Sequence, residues 1–236
     1  MDTPRGEIEV RQHAVIAGLE KPSGAITWPP AFAVGGVAKR CLDFSMALFA
    51  LLVLSPLLLF VILAIKLTSP GPVFFGHERV GFGRNTFKCW KFRTMCVDAD
   101  RVLSECLASN PELRAEWDAT QKLKDDPRVT RLGRVLREYS VDELPQLFNV
   151  LLGDMSFVGP RPVVDAELVR FGDSAPLYLS ARPGITGLWQ ISGRSDTSYS
   201  ERVQLDAQYV TRWSLWQDVM IVLKTVPVVL GARGSY

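Results

Sequence analysis

The chain has 236 residues, of which 47% are hydrophobic and 22% are charged, and its formal net charge at pH 7 is +2. This length predicts one domain, or at most two small ones, with a proper hydrophobic core, and the near-neutral charge argues against a polybasic nucleic-acid-binding protein. With four cysteines, no C-x-x-C pair and only two histidines, the chain favours neither a zinc site nor a disulfide framework.

The first predicted region, residues 1–36, is rich in proline and glycine and carries no sustained periodicity, so we predict a mobile tail. An uncharged apolar run of 22 residues follows over 44–65, FSMALFALLVLSPLLLFVILAI, with basic residues on both sides. Since about 20 apolar residues span the core of a bilayer, the run predicts a membrane helix within residues 37–68. A long helix buried in a protein core is the alternative.

Ser55 and Pro56 lie in the middle of this run. Proline removes one backbone hydrogen bond and pushes against the carbonyl four residues earlier, which bends a helix. The Ser55 hydroxyl could satisfy the carbonyl that Pro56 leaves without a partner. Each half is then about 18 Å long, so we predict a re-entrant hairpin that enters one leaflet and returns, with a straight span as the alternative. Basic residues on both sides agree with two cytoplasmic flanks.

Residues 69–236 are predicted to form a small domain of the α+β class, mostly helical. It begins with two short strands around a Gly-Arg-Asn turn in VFFGHERVGFGRNTFKCWKFRTM. Six basic side chains in this stretch predict a solvated face, an anion site or a membrane-surface patch: His77, Arg79, Arg84, Lys88, Lys91 and Arg93. Neither G-x-G-x-x-G nor G-x-x-x-x-G-K-[ST] occurs, which excludes Rossmann and P-loop interpretations.

The C-terminal segment YVTRWSLWQDVMIVLKTVPVVLG is apolar on much of its surface, and Lys224 and Pro227 make it a poor second span. Its pattern fits an amphipathic helix lying along a bilayer surface, and it fits a packed core helix equally well.

Two adjacent carboxylates, Asp142 and Glu143, lie in SVDELPQLFNVLLGDMSFVGPRP beside an apolar stretch. A carboxylate can bind Mg²⁺ together with phosphate oxygens, and it can also attack phosphorus to form an acyl phosphate. Asp-Glu pairs are common, and at a helix N-terminus they would only complement the helix dipole. At its ordinary pKa near 3.9, an aspartate is ionised at pH 7 and needs no base to activate it.

Four arginines lie on or near glycine and proline turns around this motif. Arginine binds phosphate oxygens in a bidentate manner and keeps its charge, so the set predicts a diphosphate site. The alternative is that each arginine pairs with a surface carboxylate. The four residues are Arg137, Arg161, Arg182 and Arg194.

From about Lys39 to its end, the sequence resembles the bacterial sugar transferases, the monotopic phosphoglycosyl transferases. The resemblance is carried by KRCLDFSMALFALLVLSPLL, GPVFFGHERVGFGRNTFKCWKFRTM, SVDELPQLFNVLLGDMSFVGPRPV and RPGITGLWQISGR. It implies transfer of a sugar 1-phosphate from a UDP-sugar to undecaprenyl phosphate with release of UMP, as the first membrane step of exopolysaccharide synthesis. The galactosyl-initiating members are the most similar, which implies galactose 1-phosphate.

The resemblance also implies roles for individual residues. Asp142 is implied as the nucleophile that carries a covalent phosphosugar, Glu143 as the Mg²⁺ ligand, and Ser55–Pro56 as the break in the re-entrant helix. Arg137 and Arg161 match the family's arginines. The implied location is the cytoplasmic face of the bacterial inner membrane, in contact with lipid, with residues 69–236 as the cytosolic catalytic domain, a phosphoglycosyl transferase domain, and a homodimer is left open.

Two other functions are kept as alternatives. A membrane-bound phosphohydrolase of polyprenyl diphosphates would use the same metal and arginines, with water as the acceptor. A non-catalytic membrane scaffold would tolerate neutralisation of Asp142. A role in nucleic-acid binding is disfavoured by the net charge.

Overall fold

A computed structural model describes residues 30–121, 123–192 and 198–230, so most of the predicted tail lies outside the described residues. The described chain is mostly helical with two small two-stranded sheets, as the predicted α+β class requires. The helices are α1 (Gly36–Thr68), α2 (Ala99–Ser109), α3 (Pro111–Thr120), α4 (Arg131–Glu138), α5 (Gln146–Leu152), α6 (Asp165–Leu168), α7 (Ala175–Leu179), α8 (Leu188–Ile191), α9 (Tyr199–Thr211) and α10 (Leu215–Leu230). The strands are β1 (Phe74–Val80), β2 (Thr86–Phe92), β3 (Ser156–Val158) and β4 (Gly184–Thr186).

The first sheet is the predicted hairpin. Strands β1 and β2 pair antiparallel from Phe74 opposite Phe92 to Val80 opposite Thr86. A short 3₁₀ turn, Phe82–Arg84, joins them. The basic side chains of this stretch therefore project from two paired strands and their turn.

The second sheet is a short parallel pair, β3 and β4, which brings together the Gly-Pro-Arg-Pro and Ala-Arg-Pro-Gly segments. Ser156 pairs with Gly184, and Val158 pairs with Thr186. A Cβ atom added at Gly184 would lie 2.1 Å from the backbone nitrogen of Gly159, so this close approach of two backbones requires glycine. The sheet fixes the position of the turn that carries Arg161.

Helix α1 continues through Pro56 as a single helix of 33 residues. The backbone is thus one proline-containing helix and not two separate helices joined by a turn, and its re-entrant path in a membrane stays a prediction. The predicted role of Ser55 is confirmed. Its Oγ donates to the Leu52 carbonyl at 2.8 Å, the carbonyl that lacks a partner because Pro56 has no N–H.

One face of α1 packs along the rest of the described chain, from its first turns to Ile65. Ala47, in its first half, packs on Leu147 and Val150 of α5. Ile65, near its end, packs on Phe92 of β2. Leu51 and Leu54 contact both clusters, so the packed stripe is continuous through the proline.

The opposite face of α1 is apolar and exposed. Phe49 and Phe60 are 69% and 67% exposed, and many leucines and valines accompany them. Within the part of the chain that the structure describes, α1 is the one helix long and apolar enough to cross a membrane. An exposed apolar surface of this extent marks a lipid or protein contact.

Charged side chains anchor the first turns of α1 to the domain. Lys39, only 6% exposed, donates to Asp218 Oδ2 at 2.6 Å. Asp218 also accepts from the Tyr209 hydroxyl at 2.7 Å and from Trp213 Nε1 at 3.0 Å. Asp43, one turn after Lys39, accepts from the Phe157 backbone N–H at 3.1 Å.

Helix α10 has a buried and an exposed side. Asp218 and Ile221 are buried, whereas an apolar stripe with a helical spacing is exposed. This stripe consists of Leu215, Trp216, Val219, Leu223 and Val226. The helix is thus both packed on the domain, as a core helix would be, and amphipathic, as a helix on a bilayer surface would be. Its contact with a bilayer stays a prediction.

Candidate active site

The Asp142–Glu143 pair lies in a 3₁₀ turn between α4 and α5. Ser140 opens this turn with a positive φ of 54°, which reverses the chain after α4. The Asp142 side chain is almost enclosed, with only 7% of the residue exposed. Burial raises the pKa of Asp142 to about 6, opposed chiefly by the nearby charge of Lys91 and also by that of Arg137, while the Glu143 charge adds to the rise. The carboxyl is therefore more basic than an ordinary aspartate, yet mostly ionised at neutral pH.

Lys91 of β2 bridges the two carboxylates. Its Nζ lies 2.6 Å from Glu143 Oε1 and 3.8 Å from Asp142 Oδ2. Sequence analysis located Lys91 in a basic stretch but did not predict its contact with the carboxylate pair, because Lys91 and Glu143 are 52 residues apart. The ammonium group stabilises both negative charges and is positioned to contact an anion that approaches them.

Asn149 of α5 holds β2 beside the pair. It is fully buried, accepts from the Trp90 backbone N–H at 3.0 Å and donates to the Lys88 carbonyl at 2.8 Å. These bonds fasten the strand on both sides of Cys89, two residues before Lys91. Lys91 therefore reaches the carboxylates from a fixed backbone.

Arg137 and Arg161, both predicted from the sequence, lie on this side of the domain. Arg137 Nε donates to Thr94 Oγ1 at 2.9 Å, and its charge lowers the pKa of Asp142. Arg161 leaves the rigid Pro-Arg-Pro turn and places its guanidinium carbon 5.6 Å from the centre of the Trp189 ring. Arg137, which precedes the pair in sequence, thus lies near Asp142, and Arg161, which follows it, lines the same cavity as Glu143.

An open cavity lies beside Glu143, with about 320 Å³ of empty space that includes open solvent. Three basic side chains and one carboxylate line it, from Arg79, Lys91, Arg161 and Glu143. Its remaining lining comes from Cys89, Gln146, Pro162, Gly184, Ile185 and Gln190. The excess of positive charge suits an anionic ligand, and its walls come from β1, β2, β4, α5 and α8.

Arg79 is a cavity residue that the sequence left unassigned within its basic stretch. The neighbouring Val80 is paired with Val163, and Tyr178 donates to the Val80 carbonyl at 2.8 Å. The end of β1 is thereby fixed to the turn that carries Arg161. Burial lowers the pKa of Arg79, while the nearby Glu167 carboxylate opposes this change.

Arg182 lies elsewhere. Its Nε donates to the Gly153 carbonyl at 2.8 Å, just after the end of α5. Arg40 of α1 donates to the Val150 carbonyl and, at 2.7 Å, to the Leu151 carbonyl. Two arginines therefore satisfy the terminal carbonyls of one helix, where positive charge is favoured. Arg194 lies outside the described residues.

The carboxylate pair is compatible with the ligand needs of Mg²⁺. Within the described ranges there is no group of three or more His, Cys, Asp or Glu side chains that could hold a metal ion. Mg²⁺ needs only one or two carboxylates and takes its other ligands from phosphate oxygens and water. Glu143 faces the cavity and is the residue that could supply such a ligand, in competition with Lys91.

Comparison with known proteins decides the family. A family model described as "Bacterial sugar transferase" matches residues 34–232, most of the chain. The chain belongs to the bacterial sugar transferase family.

Three relatives show where this sugar transferase lies within the family. It is 54% identical over 203 residues to the exopolysaccharide production protein ExoY of Sinorhizobium fredii, covering 86% of this chain and 90% of the relative. It is 50% identical over 199 residues to the undecaprenyl-phosphate galactose phosphotransferase of Salmonella typhimurium, covering 84% of this chain and 41% of the relative. It is 44% identical over 206 residues to a UDP-glucose:undecaprenyl-phosphate glucose-1-phosphate transferase of Caulobacter vibrioides, covering 84% of this chain and 72% of the relative.

Proposed function

We propose that this sugar transferase moves a hexose 1-phosphate from a UDP-sugar to undecaprenyl phosphate and releases UMP, as the first membrane step of exopolysaccharide synthesis. The observation that carries the proposal is the Asp142–Glu143 pair, bridged by Lys91 at the edge of a cationic cavity. The activities for which two relatives are named supply the donor and acceptor classes.

The proposed reaction has two displacement steps at one phosphorus atom. An Asp142 carboxylate oxygen attacks the β-phosphorus of the UDP-sugar, and the bond to the bridging oxygen breaks, so that UMP leaves with that oxygen. An oxygen of undecaprenyl phosphate then attacks the same phosphorus and displaces Asp142. The products are undecaprenyl diphosphate sugar and the regenerated carboxylate.

The basic residues would stabilise charge that shifts between oxygens during both steps. Lys91 contacts both carboxylates and faces the cavity, while Arg79 and Arg161 line the cavity walls. Mg²⁺ bound at Glu143 would neutralise part of the diphosphate charge. Two steps allow the water-soluble donor and the lipid acceptor to use the site in turn.

The location we propose is the cytoplasmic face of the bacterial inner membrane, with α1 entering one leaflet without crossing it. Both ends of α1 pack on the same domain, through Lys39 at the start and Ile65 near the end. A helix crossing the bilayer would separate its ends by about 30 Å of hydrocarbon, which a polar catalytic domain cannot occupy. This packing supports the re-entrant topology.

Galactose 1-phosphate is the proposed group transferred, and glucose 1-phosphate the next candidate. The proposal rests on similarity to galactose-transferring relatives. Sugars that differ at one hydroxyl are distinguished by a few hydrogen bonds. A preference for an N-acetylated sugar would overturn the assignment.

The test is multiple-turnover UMP release from a panel of UDP-sugars, with and without undecaprenyl phosphate, using the purified protein in lipid nanodiscs. Lipid-dependent turnover supports the transferase. Continued release of phosphate from undecaprenyl diphosphate, with water as acceptor, would instead support a phosphohydrolase, and no turnover with any donor would support a scaffold.

A further inference from the structure

Two guanidinium groups share the Trp189 ring beside the cavity. The guanidinium carbon of Arg161 lies 5.6 Å from the ring centre, and that of Arg202, from α9, lies 4.9 Å from it. Arg202 is also 5.4 Å from the centre of the Tyr199 ring. A planar guanidinium group stacks well on an aromatic face, so Trp189 joins a cavity arginine to one behind it.

The Arg202 side chain is half-buried. Its Nε and Nη2 atoms are buried without a hydrogen-bond partner among the described residues, and Arg202 is not one of the described residues that line the cavity. Burial and the like charge of Arg161 both lower the pKa of Arg202. Such a placement is unfavourable for stability alone, which points to a functional reason for it.

Asp206, one turn after Arg202 on α9, interacts with both Arg161 and Arg202. It is 2% exposed, and neither carboxylate oxygen has a hydrogen bond of ordinary geometry within the described ranges. Its carboxylate lies close to the Arg161 backbone N–H and interacts with the charges of Arg202 and Arg161. Helix α9 therefore interacts with Arg161 in two ways. Asp206 lies near the Arg161 backbone, and Arg202 stacks on the Trp189 ring of α8, on which the Arg161 side chain also stacks.

We propose that Arg202 and Asp206 are positioning residues that hold Arg161 in the orientation in which it binds the diphosphate of the donor. The Pro-Arg-Pro turn fixes the Arg161 backbone but leaves its long side chain several rotamers. Stacking on Trp189, with Arg202 on the same ring, restricts those rotamers before the ligand arrives. The proposal rests on the proposed function, because it takes the cavity ligand to be a nucleoside diphosphate.

The test is a double-mutant cycle on UDP binding, measured by calorimetry with Mg²⁺ present. Arg202→Met keeps the apolar stem but removes the guanidinium, and we expect UDP affinity to fall about three- to tenfold. In an Arg161→Ala background, the same change should alter affinity less than about twofold, because the group it positions is gone. Arg170→Met is the matched control, since Arg170 is exposed and stacks on Tyr199, not on Trp189.

Steady-state kinetics supply a second readout that a general loss of structure would not mimic. Arg202→Met should raise the KM for the UDP-sugar about as much as it weakens UDP binding and leave kcat within about threefold. Should Arg202→Met fail to fold, Trp189→Leu removes the shared ring and measures the same coupling, whereas Trp189→Phe should remain close to wild type.

Multiplicative effects of the Arg161 and Arg202 substitutions would show that Arg202 acts independently and would overturn the positioning role, as would an equal effect of Arg170→Met. A protein that binds UDP but releases no UMP from UDP-sugars would contradict the proposed function, while the binding cycle would still decide the role of Arg202. A protein that binds neither UDP nor inorganic pyrophosphate would overturn both.

Discussion

Asp142 combines two properties that oppose each other in an ordinary aspartate. Burial makes its carboxylate more basic, and the charges of Lys91 and Arg137 keep it ionised near neutral pH. A basic carboxylate is a better nucleophile, provided that it is deprotonated, so a pKa of about 6 is close to a useful compromise. The sequence suggested an unperturbed carboxyl because burial of a polar residue next to a helix could not be inferred from its neighbours.

Replacement of Asp142 by asparagine tests the covalent step. The change keeps the shape and removes the nucleophile, so it should abolish turnover and any adduct trapped from radiolabelled UDP-sugar without lipid. The folded protein should persist, because neutralisation of a buried carboxylate removes a desolvation cost. Glu143→Gln is the contrasting variant, which should form the adduct slowly and respond weakly to Mg²⁺. Turnover of Asp142→Asn within about tenfold of wild type, about 1.4 kcal/mol, would instead favour direct attack by the lipid phosphate.

Asp206 should make stability depend on pH. Burial raises its pKa in the folded state from 3.8 to about 7, despite the opposing charges of Arg202 and Arg161. Because the folded state holds this proton more tightly, its stabilising contribution is complete below pH 4 and is lost as the pH rises through 7. Asp206→Asn should therefore gain stability relative to wild type between pH 5 and 8, by an amount on the order of 1–4 kcal/mol.

Chemical unfolding of both proteins in detergent at pH 5 and pH 8 measures this difference. The exposed Asp173→Asn serves as the control and should follow wild type at both values. An Asp206→Asn protein whose stability tracks wild type across this range would mean that the Asp206 carboxyl is ionised throughout.

At the scale of elements, α5 depends on arginines from two distant segments. Its last carbonyls accept from Arg40 of α1, and the carbonyl of Gly153 accepts from Arg182. Gly153 has a φ of 93°, which ends the helix and exposes these carbonyls to donors. Since α5 carries Asn149 and follows directly on the carboxylate pair, its end is linked to the geometry of the site.

Arg182→Gln separates this structural role from the predicted contact with phosphate. Loss of a charged hydrogen bond at a helix C-terminus should lower the free energy of unfolding by about 1–2 kcal/mol. The KM for the UDP-sugar should change less than about twofold, because Arg182 is not among the described residues that line the cavity. A large increase in KM with unchanged stability would restore Arg182 to the diphosphate site.

Ser55 and Pro56 are the residues that we expect to decide whether α1 is re-entrant or spans the bilayer. We expect cysteines placed at residues 20 and 230, in a background with Cys41, Cys96 and Cys106 replaced by serine, to react with an impermeant thiol reagent from the same face of sealed vesicles. Replacing Ser55 by alanine and Pro56 by leucine restores the backbone hydrogen bond to Leu52 and should favour a straight span. Labelling of the two wild-type positions from opposite faces would contradict the re-entrant topology.

Across the whole molecule, local features were predictable and tertiary partners were not. Ser55 and its carbonyl lie within one helical turn, and the β1–β2 hairpin follows from a turn between adjacent apolar runs. Lys91 and Arg79 reach the site only because α5 and the Pro-Arg-Pro turn pack on the hairpin, which no local periodicity encodes. Arg182 shows the converse, since its bond to the Gly153 carbonyl could not be read from a proline-flanked arginine, and its contact with phosphate stays a prediction.

The Lys39–Asp218 pair joins the membrane helix to the last helix, so its loss should affect the whole domain. Asp218→Asn leaves the buried Lys39 ammonium with Asp43, at 3.9 Å, as its remaining acidic neighbour, and should destabilise the protein by up to about 3 kcal/mol. Lys39→Met combined with Asp218→Asn should recover part of this loss, since the buried ammonium is then absent, and the recovery is incomplete because Asp43 loses its contact with Lys39. Unfolding in detergent measures both, and an unchanged Asp218→Asn protein would show that Tyr209 and Trp213 alone hold α10.

The same pair sets an order of events during synthesis, because 179 residues separate Lys39 from Asp218. The apolar helix leaves the ribosome long before its aspartate is translated, so it meets lipid while Lys39 still has no acidic partner on α10. Lys39 can stay hydrated at the bilayer surface until α10 emerges, and only then can the first turn of α1 be enclosed. Nascent chains stalled before residue 215 should therefore be membrane-bound yet protease-sensitive, and release of the full chain should close the domain around a helix that is already embedded.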